Sequence, residues 1–414
     1  MKTLLVAGVV VALAYATYCF LDVPVPSDFP ETWKVKIMDG KLRGLGKLDS
    51  LMMFVTGDKD VRTHPWARWI LNTVFKLLHT GLPWIQGTDQ DVKVYYTTMR
   101  GLQVLTFEPI QSEHGRKRPA IVYFHGGGFA LLSEEFAAPT LRILAKELGA
   151  MLFSVSYRMA PEHPFPAAYA DCLSVTQYII DNSDKFDIDS SRVAVAGDSA
   201  GGNLAAAVAL TLKQQLKMQI LMYPMLQALD FQLPSYKENS KYFQGFTNQR
   251  VLASSFLRYA GLPLNYTDAL LINNHTSPKL KKSKYASYVD PKLNIPEHLA
   301  TVSTKKYVVE TSGGDENLSK EIKKIFTNPL FAPLMADDEA LAQVAPAYII
   351  TAKYDPLQND GIMYAHRLSK NGVMIKLHDY PAFHAFLQFS GGPFKLEIAE
   401  RAVKDLVTFL KDHL

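Results

Sequence analysis

Hydrophobic and polar residues follow a pattern that predicts alternating strands and helices over most of the chain. Polar and apolar positions alternate from Val92, and a second alternating segment covers residues 102–107 after a turn at Arg100 and Gly101, which predicts a β-hairpin. Continuous apolar runs, typical of strands buried on both faces, follow at residues 120–124, 151–155, 193–196, 220–223, 347–351 and 373–377. Because helical patterns separate most of these runs, we predict an α/β fold with a mostly parallel sheet, in which functional residues follow the strand ends.

One long interval interrupts this alternation. About 120 residues separate the run that ends near Met225 from the run that begins at Ala347, which is far longer than a simple crossover and predicts an inserted subdomain. The basic part of this insertion, residues 279–296, is typical of a solvated loop.

The segment before the sheet, residues 23–90, contains one helical pattern. Apolar residues recur there at three- and four-residue spacing, which predicts a helix over residues 65–81. The aromatic and apolar stripe from Trp66 to Trp84 packs in a core, lines an apolar cap or contacts the bilayer.

The N-terminus carries a long uncharged segment. The 19 positions between Lys2 and Asp22 hold no charge, close to the roughly 20 residues that a helix needs to span a hydrocarbon core. A positive charge before the segment and an acid after it place the folded part across the membrane from the cytosol. We predict that residues 1–21 form a retained signal-anchor helix. A cleaved secretory signal is the alternative, because small residues near the end of the segment suit a peptidase.

Composition excludes several classes of protein. Hydrophobic residues make up 48% and charged residues 20% of the chain, which excludes global disorder. The formal net charge of +4 is too small for a protein whose main partner is nucleic acid. Cys19 and Cys172 are the only cysteines, so an intrachain disulfide framework is not expected. Asn265, Asn274 and Asn317 begin Asn-x-Ser/Thr sequons and are candidate glycosylation sites.

The first motif that carries chemistry is Gly197-Asp198-Ser199-Ala200-Gly201, between an apolar strand-like run and a helical stretch. A nucleophile elbow needs small residues around its serine, because the turn is strained and the helix approaches the strand closely. A Gly-x-Ser-x-Gly pattern alone is more often a plain turn. The strand before it and the helix after it favour Ser199 as a nucleophile.

The second motif, His125-Gly126-Gly127-Gly128, directly follows the run at 120–124. Successive glycines can direct their N–H groups toward one point, which is what a developing oxyanion needs. We predict an oxyanion hole formed by Gly126, Gly127, Gly128 and Ala200. The alternative, a phosphate-binding loop, lacks the Gly-Lys-Ser/Thr and Gly-x-Gly-x-x-Gly patterns.

A base and an orienting acid are expected later in the chain, in the order Ser, Asp or Glu, His. Asp355 follows the run at 347–351, and His384 lies in a turn after the run at 373–377, so both fall where strand ends face the site. His384 would take the proton of Ser199 and Asp355 would orient His384. The alternatives are interpreted as structural, with Asp360 as a helix cap, His378 and Asp379 at a strand end, and His366 within a helix.

Metal chemistry finds little support, because no His-Glu-x-x-His motif or paired Cys-x-x-Cys motif occurs. No cofactor is expected. The Pro-rich loop at 157–166, which contains Glu162 and His163, is interpreted as structural.

With these residues in place, the sequence resembles the hormone-sensitive-lipase branch of the α/β-hydrolases, and within it the arylacetamide deacetylase and neutral cholesterol ester hydrolase family. The resemblance covers nearly the whole chain, and residues 219–277 are more similar to the cholesterol ester hydrolases. It is carried by residues 125–128, 157–158, 161, 165–166, 197–203, 223–224, 226–230, 234–236, 273–277, 332–334 and 360–364. One departure is Ala385, which follows His384 where this family usually has glycine.

The resemblance implies an eight-stranded sheet and a type II anchor with the catalytic domain in the lumen of the endoplasmic reticulum. We expect a catalytic domain of residues 91–225 and 345–414. A cap is expected from residues 22–90 together with the insertion at 226–344. The sequence does not predict an oligomeric state.

These observations together predict a serine carboxylic-ester hydrolase. It would cleave apolar esters of lipids, cholesteryl and acetyl esters among them, through an acyl-enzyme on Ser199. Three alternatives stay open: an amide and xenobiotic-ester hydrolase of the arylacetamide deacetylase type, a serine peptidase, and a non-catalytic ligand-binding protein on the same fold.

Overall fold

The computed structural model describes residues 22–27, 29–56, 68–70, 72–73, 91–110, 116–391 and 395–414. The predicted membrane anchor at 1–21 lies outside these ranges, as do Trp66 and Trp84. Of the predicted helix at 65–81, only residues 68–70 and 72–73 are described, and these are helical. Within the described ranges, no helix combines the length and the apolar character needed to cross a membrane.

Eight strands of the described chain form one sheet. They are β1 (Val92–Met99), β2 (Leu102–Pro109), β3 (Arg118–Phe124), β4 (Met151–Val155), β5 (Ile188–Asp198), β6 (Met218–Met222), β7 (Ala347–Ala352) and β8 (Ile375–Tyr380). Their order across the sheet is β1-β2-β4-β3-β5-β6-β7-β8. The predicted hairpin of β1 and β2 is antiparallel, β2 also pairs antiparallel with β4, and all further neighbours are parallel. The prediction of an α/β fold with a mostly parallel sheet is confirmed.

Helices connect these strands and build the segments outside the sheet. In chain order they are α1 (Thr32–Thr56), α2 (Ala138–Leu148), α3 (Ala167–Asp181), α4 (Ala200–Leu212), α5 (Pro234–Asn239), α6 (Gln249–Ala260), α7 (Thr267–Leu271), α8 (Pro278–Lys281), α9 (Lys284–Tyr288), α10 (Pro291–Asn294), α11 (Val302–Lys306), α12 (Glu316–Phe326), α13 (Asp338–Leu341), α14 (Gln358–Lys370) and α15 (Glu397–His413). Short 3₁₀ turns lie at Ser183–Phe186, Lys213–Gln215, Leu264–Tyr266, Glu297–Leu299, Pro333–Met335 and Phe386–Phe389.

Alternation along the strands divides the core between the two faces of the sheet. On β3, Val122 and Phe124 belong to one buried cluster, whereas Ile121 and Tyr123 belong to the other. The first cluster includes side chains of α3, α4, α14 and much of the residue 226–344 segment. The second includes side chains of α1, α2 and α15. Both faces are therefore covered, and only the strand ends are left to form a site.

The predicted insertion between β6 and β7 consists of helices, most of them short. The prediction of a solvated loop at 279–296 is wrong, because this stretch contains α8, α9 and α10. Two of these helices have a side-chain N-cap. Ser277 accepts the N–H of Leu280, and Asp290 accepts the N–H of Lys292. Helices of four or five residues are too short to produce a 3.6-residue apolar period, so the pattern could not predict them.

Helix α1 was not predicted either. It runs for 25 residues before the sheet, although Gly40, Gly44 and Gly46 lie within it and each lowers helix propensity. Burial explains its formation in part, because Val35 and Met38 pack in the second core cluster.

Candidate active site

Ser199 lies at the turn between β5 and α4, where the sequence predicts a nucleophile elbow. Its backbone has φ 54° and ψ −117°, an unfavourable conformation for a residue with a side chain. The turn is fixed from both sides, since the N–H of Ser199 donates to the carbonyl of Met222 at 2.9 Å and its carbonyl accepts the N–H of Met225 at 3.2 Å. This strain turns the serine side chain out beyond the end of the strand.

Glycine is required on both sides of this serine because the backbone is closely packed. A Cβ atom at Gly201 would lie 1.9 Å from the carbonyl oxygen of Phe124. One at Gly197 would lie 2.2 Å from the carbonyl oxygen of Gly201. The helix therefore reaches the strand as closely as the elbow demands.

His384 contacts both of its predicted partners. Its Nε2 lies 3.0 Å from Oγ of Ser199, and its Nδ1 lies 2.7 Å from Oδ2 of Asp355. A carboxylate accepts, so Nδ1 carries the proton and Nε2 is free to accept the hydroxyl proton of Ser199. The structure thus brings together three side chains that are 156 and 29 positions apart in the sequence.

Neighbouring chain segments hold the Asp355 turn. The carboxylate of Asp355 is fully buried and its Oδ1 accepts the N–H of Leu357 at 2.8 Å. Asn239, at the end of α5, donates its side-chain amide to the backbone carbonyls of Asp355 and Lys353, both at 3.0 Å. The insert, residues 226–344, therefore helps to hold Asp355 in place.

Ala385 explains why glycine is the expected residue after the histidine. It has φ 66°, in the left-handed region that glycine adopts without strain. The strain costs about 1–2 kcal/mol for a residue with a Cβ atom. The contacts of His384 are made nonetheless, so this departure does not displace the imidazole.

The glycine loop after β3 lies beside Ser199. Gly127 has φ 107° and Gly128 has φ 61°, which suit glycine. Among the residues that the structure describes, the N–H groups of Gly127, Gly128 and Ala200 have no acceptor. They remain available to an oxyanion.

Gly126 does not supply such a donor, contrary to the prediction. Its N–H donates to Oδ1 of Asp198 at 2.8 Å. A Cβ atom at Gly126 would lie 2.6 Å from Oδ2 of the same carboxylate, so the loop rests directly on Asp198. Burial raises the pKa of Asp198, while the hydrogen bonds from Tyr123 and from the N–H of Gly126 act in the opposite direction.

His125 supports the loop from the other side. Its Nδ1 donates to the carbonyl of Gly126 at 2.8 Å, and its ring stacks on Tyr157 with centroids 4.4 Å apart. Tyr157 also donates its hydroxyl to the carbonyl of His125 at 2.7 Å. Burial lowers the pKa of His125, so this imidazole is neutral at pH 7. The Pro-rich loop that begins at Tyr157 thus makes structural contacts with the glycine loop.

Helix α6 of the insert covers the glycine loop. The rings of Phe129 and Tyr259 stack with centroids 3.8 Å apart and nearly parallel planes. Ser255 lies directly against Gly128, since a Cβ atom at Gly128 would be 2.5 Å from its Oγ. This helix is therefore a fixed wall of the site.

The other acids and histidines weighed from the sequence have other partners. Asp360 does not cap its helix. It is the third residue of α14, and its carboxylate accepts the N–H of Leu226 at 2.9 Å and the hydroxyl of Tyr236 at 3.2 Å. Asp379 accepts from Thr351 at 2.7 Å and Gln358 at 2.9 Å. The remaining histidines of this group lie on α14 (His366) and β8 (His378).

The three sequons differ in exposure. Asn265 and Asn317 are exposed, whereas Asn274 is half-buried and the hydroxyl of its Thr276 donates to the carbonyl of Asn273 at 2.8 Å. Asn265 and Asn317 are therefore the more accessible acceptors. Among the described residues, no group of three His, Cys, Asp or Glu side chains is placed to hold a metal ion.

Sequence reasoning missed Asp198, Gln388 and Asn239 as supports of the site. The signal for Asp198 was present, because a charged residue ends an otherwise apolar strand beside the nucleophile. Asn239 and Gln388 carry no local signal, since each acts on a segment distant in the sequence.

Comparison with known proteins agrees with this geometry. The chain matches the family model described as the alpha/beta hydrolase fold over residues 121–286 and 295–388. It is 33% identical to neutral cholesterol ester hydrolase 1 of Bos taurus, with 97% of each chain covered. It is 31% identical to arylacetamide deacetylase of Bos taurus, with 95% of this chain and 96% of the relative covered.

Solved structures show the same fold. DphMB1 superposes with a TM-score of 0.61 at 28% identity, covering 84% of this chain and 92% of DphMB1. The hyperthermophilic esterase from Pyrobaculum calidifontis superposes with a TM-score of 0.58 at 27% identity, covering 90% of this chain and 96% of the esterase. Since the family model covers more than half of the chain and the relatives match nearly all of it, the protein belongs to the α/β-hydrolases, in the carboxylesterase-like family that includes neutral cholesterol ester hydrolases and arylacetamide deacetylases.

Proposed function

We propose that this esterase cleaves apolar lipid esters through an acyl-enzyme on Ser199. The observation that carries the proposal is the chain of contacts from Asp355 through His384 to Ser199, at 2.7 and 3.0 Å. The N–H groups of Gly127, Gly128 and Ala200 lie on the segments beside Ser199 and lack acceptors among the described residues. A nucleophile with a positioned base and oxyanion donors is the arrangement that acyl transfer needs.

Acylation begins when Oγ of Ser199 attacks the ester carbonyl carbon while its proton passes to Nε2 of His384. The resulting oxyanion accepts hydrogen bonds from the backbone of Gly127, Gly128 and Ala200. Asp355 stabilises the imidazolium that forms. When the tetrahedral intermediate collapses, the bond to the alcohol oxygen breaks and His384 gives its proton to the leaving alcohol. An acyl ester on Ser199 remains.

Deacylation repeats the sequence with water. His384 takes a proton from a water molecule whose oxygen attacks the acyl carbon, and the same N–H groups stabilise the second oxyanion. The proton then returns to Oγ of Ser199 as the carboxylic acid leaves. The chain needs no cofactor for either half of this reaction.

The proposed substrate class follows from the relatives and from the buried site. Relatives are named for cholesterol esters and for arylacetamides. Ser199 and His384 are each only 7% exposed, which suits an ester that leaves water on binding. Esters of cholesterol and acetyl esters of lipids are the substrates we propose, with arylacetamides as the alternative.

A cap from two segments would enclose such a substrate. We propose that residues 22–90 and 226–344 form it over a catalytic domain of residues 91–225 and 345–414. Contacts between the two segments support this division, since Oδ1 of Asp39 on α1 accepts the N–H of Gly245 at 2.7 Å. The side-chain oxygen of Asn72 also accepts the N–H of Leu132, just beyond the glycine loop, at 2.9 Å.

We also propose a type II anchor at residues 1–21 that places the enzyme on the lumenal side of the endoplasmic reticulum. The uncharged N-terminal segment and the exposed sequons at Asn265 and Asn317 support it. Resistance of the full chain to alkaline carbonate extraction, together with an endoglycosidase-sensitive mass shift lost in an Asn265→Gln/Asn317→Gln variant, is the expected result. A protein that is extracted by carbonate and unglycosylated would contradict it.

The chemistry is tested with p-nitrophenyl butyrate and purified full-length protein. The Ser199→Ala variant should lose about 10⁴-fold or more in kcat, since loss of the nucleophile abolishes acylation. Thermal unfolding of the variant should match that of the wild type, which controls for misfolding. Equal turnover by the two proteins would refute the enzymatic proposal and favour the non-catalytic alternative.

The substrate class is tested by mixing membrane lipids with wild-type protein or with Ser199→Ala and quantifying each lipid class. A fall in cholesteryl or acetyl esters that occurs only with the wild type supports the proposal. Parallel assays with acetanilide and with a short peptide separate the amide-hydrolase and peptidase alternatives. Turnover of acetanilide with no loss of lipid esters would assign the substrates to the amide class.

A further inference from the structure

Asp198 lies at the junction of three segments that meet at the candidate active site. It ends β5, directly before Ser199, and is 2% exposed. Its Oδ1 accepts the hydroxyl of Tyr123 at 2.5 Å and the N–H of Gly126 at 2.8 Å. Its Oδ2 accepts the side-chain amide of Gln388 at 3.2 Å. The mechanism described above does not use this carboxylate.

Each of the three donors comes from a different part of the site. Tyr123 belongs to β3, Gly126 begins the glycine loop, and Gln388 lies in the 3₁₀ turn Phe386–Phe389 that follows His384. Hydrogen bonds to a charged acceptor are stronger than neutral ones, and a buried carboxylate needs several to be tolerated. Asp198 therefore ties the glycine loop and the histidine turn to the nucleophile strand.

The geometry of the glycine loop depends on this bond. Gly126 is held so closely that a Cβ atom there would lie 2.6 Å from Oδ2 of Asp198. The next two residues, Gly127 and Gly128, carry the donors proposed for the oxyanion. The direction of their N–H groups follows from where the Gly126 peptide is held. A shift of that peptide would misalign both donors at once. Donors that act on the oxyanion stabilise the transition state more than the bound ester, so the loss should fall on kcat.

We propose that Asp198 is a positioning residue for ester hydrolysis, which aligns the oxyanion donors and the His384 turn with Ser199 through its three hydrogen bonds. The inference rests on the proposed function, because alignment matters only if Ser199 forms an acyl-enzyme. It assigns the effect of Asp198 to the transition state and not to substrate binding.

Two substitutions at this position separate hydrogen bonding from charge. Asp198→Ala leaves the hydroxyl of Tyr123 and the N–H of Gly126 unpaired. Asp198→Asn keeps the Oδ1 acceptor for both donors, and the amide of Gln388 can rotate to present its oxygen to the new NH₂ group. The asparagine variant therefore preserves the alignment and removes only the charge.

The readouts are kcat and KM for p-nitrophenyl butyrate and the Ki of an alkyl trifluoromethyl ketone, which forms a tetrahedral adduct with the serine. Loss of an oxyanion donor typically lowers kcat by about 10²–10³-fold. Asp198→Ala should lower kcat by about 10²-fold and weaken the ketone by a similar factor, with KM changed by less than about threefold. Asp198→Asn should keep at least about one tenth of the wild-type kcat.

Asp379→Asn is the matched control. Asp379 is another hydrogen-bonded carboxyl at the end of a strand and is half-buried, but it bonds Thr351 and Gln358 and not the glycine loop. It should retain the wild-type kcat and ketone Ki within about twofold. Equal losses in Asp379→Asn and Asp198→Ala would show a general effect of hydrogen-bonded carboxyls at the strand ends and overturn the proposal.

Two further outcomes would overturn it. A kcat of Asp198→Ala within about threefold of wild type would show that alignment does not need Asp198. A loss in Asp198→Asn as large as in Asp198→Ala would assign the effect to charge. If Asp198→Ala fails to fold, Gln388→Ala carries the test, and we expect about tenfold lower kcat with unchanged KM. An unchanged kcat there would contradict the proposal. An inactive wild type would instead reject the proposed function, so the two failures are distinguishable.

Discussion

Helices around the sheet and helices in the insert, residues 226–344, are held in place by different means. The helices α2, α3, α4, α14 and α15, which flank the sheet, begin without a side-chain hydrogen bond at the N-cap. In the insert, six helices begin at a capping side chain, namely α6, α8, α10, α11, α12 and α13. The core helices therefore depend on burial against the sheet, whereas the insert depends more on local hydrogen bonds.

The elbow at Ser199 is also more tightly packed than the insert. At the elbow, atoms of Gly197 and Gly201 approach so closely that neither position has room for a methyl group. The insert contains a cavity of about 510 Å³ that is open to solvent and is lined by residues such as Leu229, Leu280 and Tyr307. Val308, which also lines it, is 76% exposed. The reacting groups are thus positioned by backbone packing that tolerates little change. The insert, by contrast, leaves open space between its side chains.

The largest expected change in stability comes from a substitution at the tightly packed elbow. Gly201→Ala places a Cβ atom 1.9 Å from the carbonyl oxygen of Phe124, and neither backbone can yield. We expect a loss of more than about 3 kcal/mol in the free energy of unfolding, or no soluble protein at all. Urea denaturation followed by circular dichroism measures it.

Gly372→Ala is the matched control for this substitution. Gly372 has φ 78°, but a Cβ atom there meets nothing within 4 Å, so only the backbone conformation is penalised. We expect a loss of about 1 kcal/mol. If the two variants were equally stable, close packing at the elbow would not be what fixes Ser199.

The elbow was also where sequence reasoning succeeded best, for a physical reason. Ser199 could be placed because strand, turn and helix are adjacent in the chain, so one local pattern contains the whole unit. Asp355 and His384 could be placed because both follow strands, and parallel strand ends share one edge of a sheet.

What could not be predicted depends on contacts between distant segments. Gly126 looked like an oxyanion donor in isolation, and only its bond to Asp198, 72 positions away, shows that its N–H is occupied. The long helix α1 contains three glycines, which lower its helix propensity, and it needs its packing against the core to form. Short helices of the insert, such as α8 and α10, begin at side-chain N-caps, and they are too short for a periodic apolar pattern to predict them.

Asp360 lies where the helices around the sheet meet the insert, and its titration provides a test of this junction. It lies on α14 and accepts from Leu226 and Tyr236 at the start of the insert. Burial raises the pKa of Asp360 to about 7, although hydrogen bonds from Leu226, Gln227 and Tyr236 lower it in part. The native state therefore binds a proton that the unfolded state releases near its ordinary pKa of 3.8. By linkage, this group makes the free energy of unfolding fall as pH rises from about 4 to 7.

Asp360→Asn removes that dependence and keeps an acceptor for Leu226. Relative to the variant, the wild type should lose on the order of a few kcal/mol across this pH window, and nothing further above pH 7. Urea unfolding at intervals between pH 4 and 8 gives the difference between the two curves. Parallel curves for the two proteins would show that Asp360 titrates normally and that the junction is open to solvent.

The smallest effect is expected within the insert, at the cap of α12. Asp315 accepts the N–H groups of Asn317 and Leu318 at 2.8 and 3.1 Å, and it is exposed. Asp315→Ala should lower the free energy of unfolding by about 1 kcal/mol, because two helix N–H groups lose their acceptor, and Asp315→Ser should restore most of it. Ester hydrolysis should stay within about twofold of wild type, since a local cap stabilises its own helix and not the strand ends. A tenfold fall in kcat for Asp315→Ala, reversed by serine, would mean that the local bonds of the insert also hold the reacting groups, and the contrast between the two regions would fail.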